Sequence, residues 1–276
     1  MKEDLSRIVK EYCEKYSEYR SNINEYIKIS NRFLNFMGDT ISNVGDLELK
    51  HFQMFIDNKS KYCNISTIKK EACYLKVIIK MINKIRSTNI DIEIKMPHCK
   101  NKAVKDKAMK DRDIRILLNT YDDHWHFVPV SIKLADKLGL RVSECTKIKC
   151  EDINLTEKII MINCAKTKNK KTMTIEDNDF EFFTTLKHKL GEKNFLSVNP
   201  GSINNNIRKH LKLCNLNKKY EITNLHAIRK NFAQRKFNEC RSSKFNKEES
   251  LKIVSTILRH SIFSYKVIKA YVLHIY

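Results

Sequence analysis

The sequence predicts a mainly α-helical chain with one small β-hairpin, an α+β fold in two parts. Three observations predict it. Five glycines and three prolines punctuate 276 residues, too few for a turn-rich all-β fold. Apolar residues recur at spacings of three and four through most of the chain, the helical period. One short stretch alternates instead: KIIMIN at 158–163 faces KTMTI at 171–175, with a lysine-rich tip AKTKNK between them, the pattern of a hairpin. The hydrophobic share of 42% suits a globular chain that buries a core.

The elements follow in order. Leu5, Ile8, Val9, Tyr12, Cys13 and Tyr16 form one helical face. Asn22, with Glu25 three residues on, opens a second helix lined by Ile23, Tyr26, Ile27, Phe33, Leu34 and Met37, and Gly38 ends it. Phe52, Phe55 and Ile56 mark a third. Ser66 or Thr67 caps a fourth, lined by Ile68, Leu75, Ile78, Ile79, Ile82 and Ile85. These four helices predict a bundle over residues 1–96. Residues 97–110 carry no apolar period. From Lys100 to Arg112 there are six basic and two acidic residues, which suits either a solvated linker or a strap across phosphates. A second part over 111–276 holds a helix led by Ile114, Leu117 and Leu118, an apolar helix from Val128 to Leu138 and the hairpin. Helices through Phe183 and Leu186 and through Ile203, Ile207 and Leu211 follow, and another opens at Thr223 or Asn224.

The net charge of +21 calls for a polyanionic partner, with nucleic acid first and an anionic membrane second. No apolar run is long enough to span a bilayer, and the first residues hold no signal-type stretch. Nine cysteines with no Cys-x-x-Cys pair give a zinc site no spacing to rest on; reduced thiols in a cytoplasmic protein fit better. No glycine-rich phosphate loop and no metal-ligand spacing occurs, so no cofactor and no metal are expected.

Arg141 in GLRVSE, Lys166 on the hairpin, His226 with Arg229 in LHAIR, His260 in LRHS and Tyr271 in AYVLH stand out. Taken singly, each has a plain structural explanation. In this order and approximate spacing they resemble the catalytic domain of the tyrosine recombinases, also called phage-type integrases. Residues 1–96 look like the SAM-like core-binding domain of that family, so the resemblance spans nearly the whole chain. It implies that Arg141, Lys166, His226, Arg229, His260 and Tyr271 are the catalytic set, with Ile228 standing where the family's box has leucine.

That set suits phosphodiester exchange. Two guanidiniums can clamp the non-bridging oxygens and hold the charge that grows in the transition state. A free phenol titrates near 10 and is a poor nucleophile at neutral pH. His226 is the expected base and Lys166 the acid for the leaving 5′ oxygen, with His260 donating a hydrogen bond to the phosphate. The resemblance implies double-stranded DNA as partner, self-assembly into a dimer or tetramer on it, and a 3′-phosphotyrosine intermediate. Lys100, Lys102, Lys105, Lys107 and Lys110 on the basic segment, with Lys168 and Lys170 on the hairpin, are the candidate DNA contacts.

The sequence also departs from the family. Arg259 stands where glycine is common before the second histidine, either adding a cation beside the phosphate site or distorting a turn. Lys230 stands where histidine often follows the box arginine. NECRSSKFNKEES at 238–250 looks like a polar surface-loop insert. Tyr265, Tyr271 and Tyr276 lie five, eleven and sixteen residues after His260, against about nine in the family; Tyr271 is the expected nucleophile, with Tyr265 and Tyr276 behind it. Five residues follow Tyr271, at most one helical turn, so coupling of protomers through a further C-terminal helix is not expected. A type IB topoisomerase-like or telomere-resolvase-like strand transferase, and a catalytically decayed sequence-specific DNA-binding protein, stay open as alternatives.

Overall fold

The computed structural model describes residues 2–97, 107–164, 170–192, 195–220, 224–260 and 268–272. The chain divides into two compact units, Met1–Ala103 and Val104–Tyr276, and the division falls inside the basic segment 97–110. Each unit has its own core.

Among its described residues the first unit holds four α-helices: α1 (Lys2–Lys15), α2 (Ile23–Met37), α3 (Leu49–Ser60) and α4 (Ile65–Arg86). Their apolar stripes meet. Leu5, Ile8 and Val9 of α1, Ile29 and Phe33 of α2, Phe52 and Ile56 of α3, and Leu75, Ile78, Ile79 and Ile82 of α4 are all buried. Phe33 and Phe52 stack at 4.6 Å between ring centroids, holding α2 against α3. Gly38 ends α2 with φ +56. The cap of α4 is Asn64, two residues ahead of Ser66 and three ahead of Thr67, the expected caps; its side chain accepts from the Thr67 N–H at 3.0 Å. Ser66 gives its hydroxyl to the same oxygen, so the polar cluster was legible and the capping member was not.

The second unit opens with α5 (Asp111–Leu118) and α6 (Phe127–Leu138), then the single turn α7 (Val142–Cys145). A three-stranded antiparallel sheet follows in the order β1 (Ile153–Asn154), β2 (Ile159–Asn163), β3 (Lys170–Thr174). Ile160 pairs with Ile153 on one side and Met173 on the other; Ile160 and Ile162 point inward, as their alternation requires. The strand β1 was not expected, because two residues are too few to show a period. Among the described residues, α8 (Phe180–Glu192), α9 (Pro200–Leu213), α10 (Asn217–Tyr220), α11 (Leu225–Ser242) and α12 (Lys247–Ile257) follow. The segment 238–250, expected as a surface loop, is mostly helical: α11 runs through Ser242 and α12 starts at Lys247. Asn246 caps α12 through the Glu249 N–H at 2.9 Å, and the Glu249 carboxylate accepts from the Asn246 N–H in return.

A separate apolar cluster joins α11, α12 and the chain beyond them. Phe232, Ala233 and Phe237 meet Leu251, Val254 and Leu258, and Ile268 and Val272 pack into the same cluster. Among the described residues the eight cysteines form no disulfide, no helix is long and apolar enough to cross a membrane, and no group of His, Cys, Asp or Glu is placed to hold a metal ion.

Candidate active site

The turn between α6 and α7 starts the site. Gly139 lies at φ +58, and a Cβ there would collide with the Phe232 ring of α11. Glycine therefore lets the backbone pass close to α11, which sets Arg141 just ahead of α7. Glu144 then reaches back, accepting from the Arg141 N–H at 2.8 Å and from its guanidinium at 2.6 Å.

On α11, His226 and Arg229 are three residues apart and share a face. The Arg229 side chain is 0% exposed. It donates to the carbonyl of Gly139 and, at 2.8 Å, to that of Leu258, so one guanidinium joins the α6–α7 turn to the end of α12. Burial, reinforced by repulsion from Arg259 and Arg141, lowers its pKa to about 9. It is still a cation at neutral pH.

Glu144 is the shared anion. Arg141 Nη1, Arg259 Nη2 and Arg229 Nη1 lie 2.6, 3.0 and 3.6 Å from its oxygens. Burial alone would push this carboxyl up, but Arg259, the Arg141 N–H, Arg229 and the Arg141 side chain outweigh it and hold it below its ordinary value. Three guanidiniums around one carboxylate leave an excess of positive charge beneath the site.

His260 follows the end of α12, and its Nε2 lies 2.8 Å from Arg141 Nη2. Tyr271 is half-buried. Its backbone N–H donates to Ile268 O at 2.7 Å, and the Val272 N–H donates to the same oxygen at 3.0 Å. Ile268 and Val272, one turn apart, anchor this segment in the apolar cluster. The Tyr271 ring then lies 4.9 Å from the His226 ring and 5.7 Å from the His260 ring, and its centroid is 5.6 Å from the Arg229 guanidinium carbon. The five residues Arg141, His226, Arg229, His260 and Tyr271, drawn from four stretches of sequence, are thus brought together.

A cleft of about 400 Å³ opens beside them. Arg141, His226 and Arg229 line it, and so do Ser143 and, from α9, Asn204 and Arg208. These last three were not expected; a lone arginine on an amphipathic helix gives no sign that it faces a site built from other elements. The other expected positions divide. Lys166 and Lys168 lie outside the described residues, as do Lys100, Lys102, Lys105, Tyr265 and Tyr276. Lys107, Lys110 and Lys170 are exposed. Lys170 is 3.9 Å from the Asp152 carboxylate. Between Lys107 and Lys110 the buried Met109 donates its N–H to Ala227 O at 2.9 Å, which pins this end of the basic segment to the first turn of α11, beside His226. Arg259 does not face the cleft: its side chain is turned inward and 1% exposed. Lys230 is buried as well.

Comparison with known proteins bears on the fold and the family. No curated protein matches the chain. Among solved structures, a λ integrase dimer bound to a COC′ core site is similar at TM-score 0.69 and 12% identity, over 94% of this chain and 76% of that one. The Tn1549 transposon integrase in complex with circular intermediate DNA is similar at 0.68 and 12%, over 98% and 95%. The XerH site-specific recombinase bound to palindromic difH substrate is similar at 0.65 and 14%, over 91% and 75%. At such identities these likenesses show the fold. The sequence profile described as the Phage integrase family matches residues 96–245, a span that includes Arg141, Lys166, His226 and Arg229 and ends before His260 and Tyr271. That match covers more than half of the chain: it belongs to the phage integrase family and is a tyrosine-type site-specific recombinase.

Proposed function

We propose that this recombinase cleaves and rejoins double-stranded DNA with Tyr271 as its nucleophile. His226 takes the phenol proton, and the phenolate oxygen attacks the scissile phosphorus. The bond to the 5′ oxygen breaks, that oxygen takes a proton from Lys166, and a 3′-phosphotyrosine remains. Arg141 and Arg229 hold the non-bridging oxygens, and His260 donates to one of them. A 5′-hydroxyl from a second strand reverses the step. The covalent link conserves the phosphodiester energy, so the chemistry as written calls for neither a metal nor a nucleotide.

The observation that carries this reading is the Tyr271 ring, set against both histidines and over the Arg229 guanidinium. It favours Tyr271 although the family profile stops at residue 245.

The net charge of +21 and the DNA-bound relatives support DNA as partner. Residues 1–96 act as the core-binding domain, 97–110 as a strap across the backbone, and 111–276 as the catalytic domain. Lys100, Lys102, Lys105, Lys107, Lys110, Lys168 and Lys170 contact phosphates. A relative crystallised as a dimer on DNA supports self-assembly on the duplex. The cytoplasm, where DNA is accessible and thiols stay reduced, is the proposed location.

The test begins with duplexes selected from a random pool by binding to the wild-type protein, then nicked at successive positions so that cleavage traps the product. Wild type is expected to form a covalent 3′ adduct at one position, and Tyr271→Phe none. An adduct that survives in Tyr271→Phe assigns the nucleophile elsewhere, and no adduct with wild type at any position removes the catalytic reading.

A further inference from the structure

We infer that Arg259 is a positioning residue for the phosphate clamp: a buried strut that fixes Glu144, and through it Arg141 and Arg229, without reaching the DNA. The inference rests on the strand-transfer reading above and adds a residue to it.

Arg259 sits at φ +60, the left-handed region where glycine is at ease and a residue that carries a Cβ is not. An arginine held there needs compensation, and its side chain supplies it. Nη2 donates to Gly139 O at 2.7 Å and to Glu144 Oε2 at 3.0 Å. Nη1 donates to Leu138 O at 3.2 Å and lies 2.8 Å from Met173 Sδ. One guanidinium therefore ties the α12 exit to the α6–α7 turn and to β3.

Two of these acceptors are shared with the clamp. Gly139 O also takes a hydrogen bond from Arg229. Glu144 Oε2 also takes the Arg141 backbone N–H and lies 3.6 Å from Arg229 Nη1. With Arg259 in place, the Glu144 carboxylate has one oxygen turned to Arg141 Nη1 and the other held from behind. Without it, Oε2 keeps the Arg141 N–H and the longer Arg229 contact among the described residues, and the carboxylate is free to rotate or to draw Arg229 inward. Either motion displaces a guanidinium from the phosphate oxygens. Arg259 also precedes His260, so the turn that it braces is the one that sets His260 against Arg141. Its contact with Met173 adds the strand that follows Lys166 in sequence. The same four contacts explain why this arginine does not present a charge to the cleft.

The test uses Arg259→Gly, which relieves the left-handed backbone and removes only the side chain, and Arg259→Lys, which keeps the charge but cannot fork. Adduct formation is timed on two nicked substrates. One has a normal scissile phosphate; the other has a methylphosphonate, which lacks one negative oxygen and so leans less on the clamp. DNA affinity and thermal unfolding are measured alongside. The expected result for Arg259→Gly is a loss of about ten- to a hundred-fold on the phosphate, a much smaller loss on the methylphosphonate, and DNA affinity within about two-fold. Arg259→Lys is expected in between. If Arg259→Gly melts below the assay temperature, Arg259→Lys on the same two substrates decides. Equal losses on both substrates, or none on either, overturn the inference while wild type still cleaves. Failure of wild type to cleave any substrate removes the strand-transfer reading itself.

Discussion

The Tyr271 and His226 rings stand 4.9 Å apart between centroids and at 67°. One comes from the segment beyond α12, the other from the first turn of α11, and they meet because Ile268 and Val272 pack on Phe232, Ala233 and Phe237. The apolar cluster sets the approach of phenol to imidazole. The eleven-residue spacing from His260 to Tyr271 does not.

The pairing predicts a pH-dependent defect in His226→Ala. Without His226 the Tyr271 phenol loses the imidazole 4.9 Å from its ring and must give its proton to solvent, so adduct formation is expected to fall by about a hundred-fold or more at neutral pH. As pH rises, hydroxide takes over the proton abstraction that His226 performs, and the gap between variant and wild type closes. Adduct rates from pH 6 to 10 on a nicked duplex check this. A gap of constant size across that range assigns His226 another role.

Much of this was legible in the sequence, and the exceptions share a physical cause. The helical stripes of Leu75, Ile78, Ile79 and Ile82, and the alternation of Ile160 and Ile162, announce which face is buried because burial is periodic. The 238–250 stretch hid its helices because its side chains are mostly exposed and no apolar stripe repeats there; a capping box at Asn246 and Glu249 was the available sign. Arg141, His226, Arg229 and His260 stood out through motif order. Arg208, Asn204 and the inward turn of Arg259 did not, since each depends on what tertiary packing brings opposite it.

Glu144→Gln is expected to destabilise the protein at neutral pH by about 3–5 kcal/mol, because three guanidiniums lose a buried anion. The folded-state pKa of Glu144 is depressed, so its contribution is complete above its unfolded value near 4.3 and is lost as pH falls through the lower folded value. The difference between variant and wild type should therefore be large at pH 7 and shrink as pH falls below about 4. Urea unfolding across this range reads it, and a difference that grew with acid would contradict the buried ion cluster.

Arg229→Lys keeps a cation on α11 but cannot bridge the Gly139 and Leu258 carbonyls together. A lysine is a point charge on a flexible stem, and losing one charge-assisted hydrogen bond costs about 1.5–3 kcal/mol. For a chain of this size that is a fall of about 3–5 °C in Tm. Adduct formation is expected to fall further than the unfolded fraction explains. Calorimetry and the nicked-duplex assay together separate the two effects, and full activity with an unchanged Tm would show that neither carbonyl contact matters.

Arg208 lines the cleft from α9 together with Asn204, and its Nη1 donates to Asn205 Oδ1 at 2.7 Å. An arginine held in this way on the wall of a cationic cleft is placed for a backbone phosphate beside the scissile one, more than for a base edge. A phosphate contact adds affinity without sequence preference and adds one released counterion. Arg208→Ala is therefore expected to weaken binding by a similar factor on selected and on unrelated duplexes. It should also reduce the slope of log affinity against log salt by about one. Titrations at 50 to 200 mM salt on both kinds of duplex give the answer. If the loss is confined to the selected duplex and the slope is unchanged, Arg208 reads a base instead, and α9 lies in the groove rather than along the backbone.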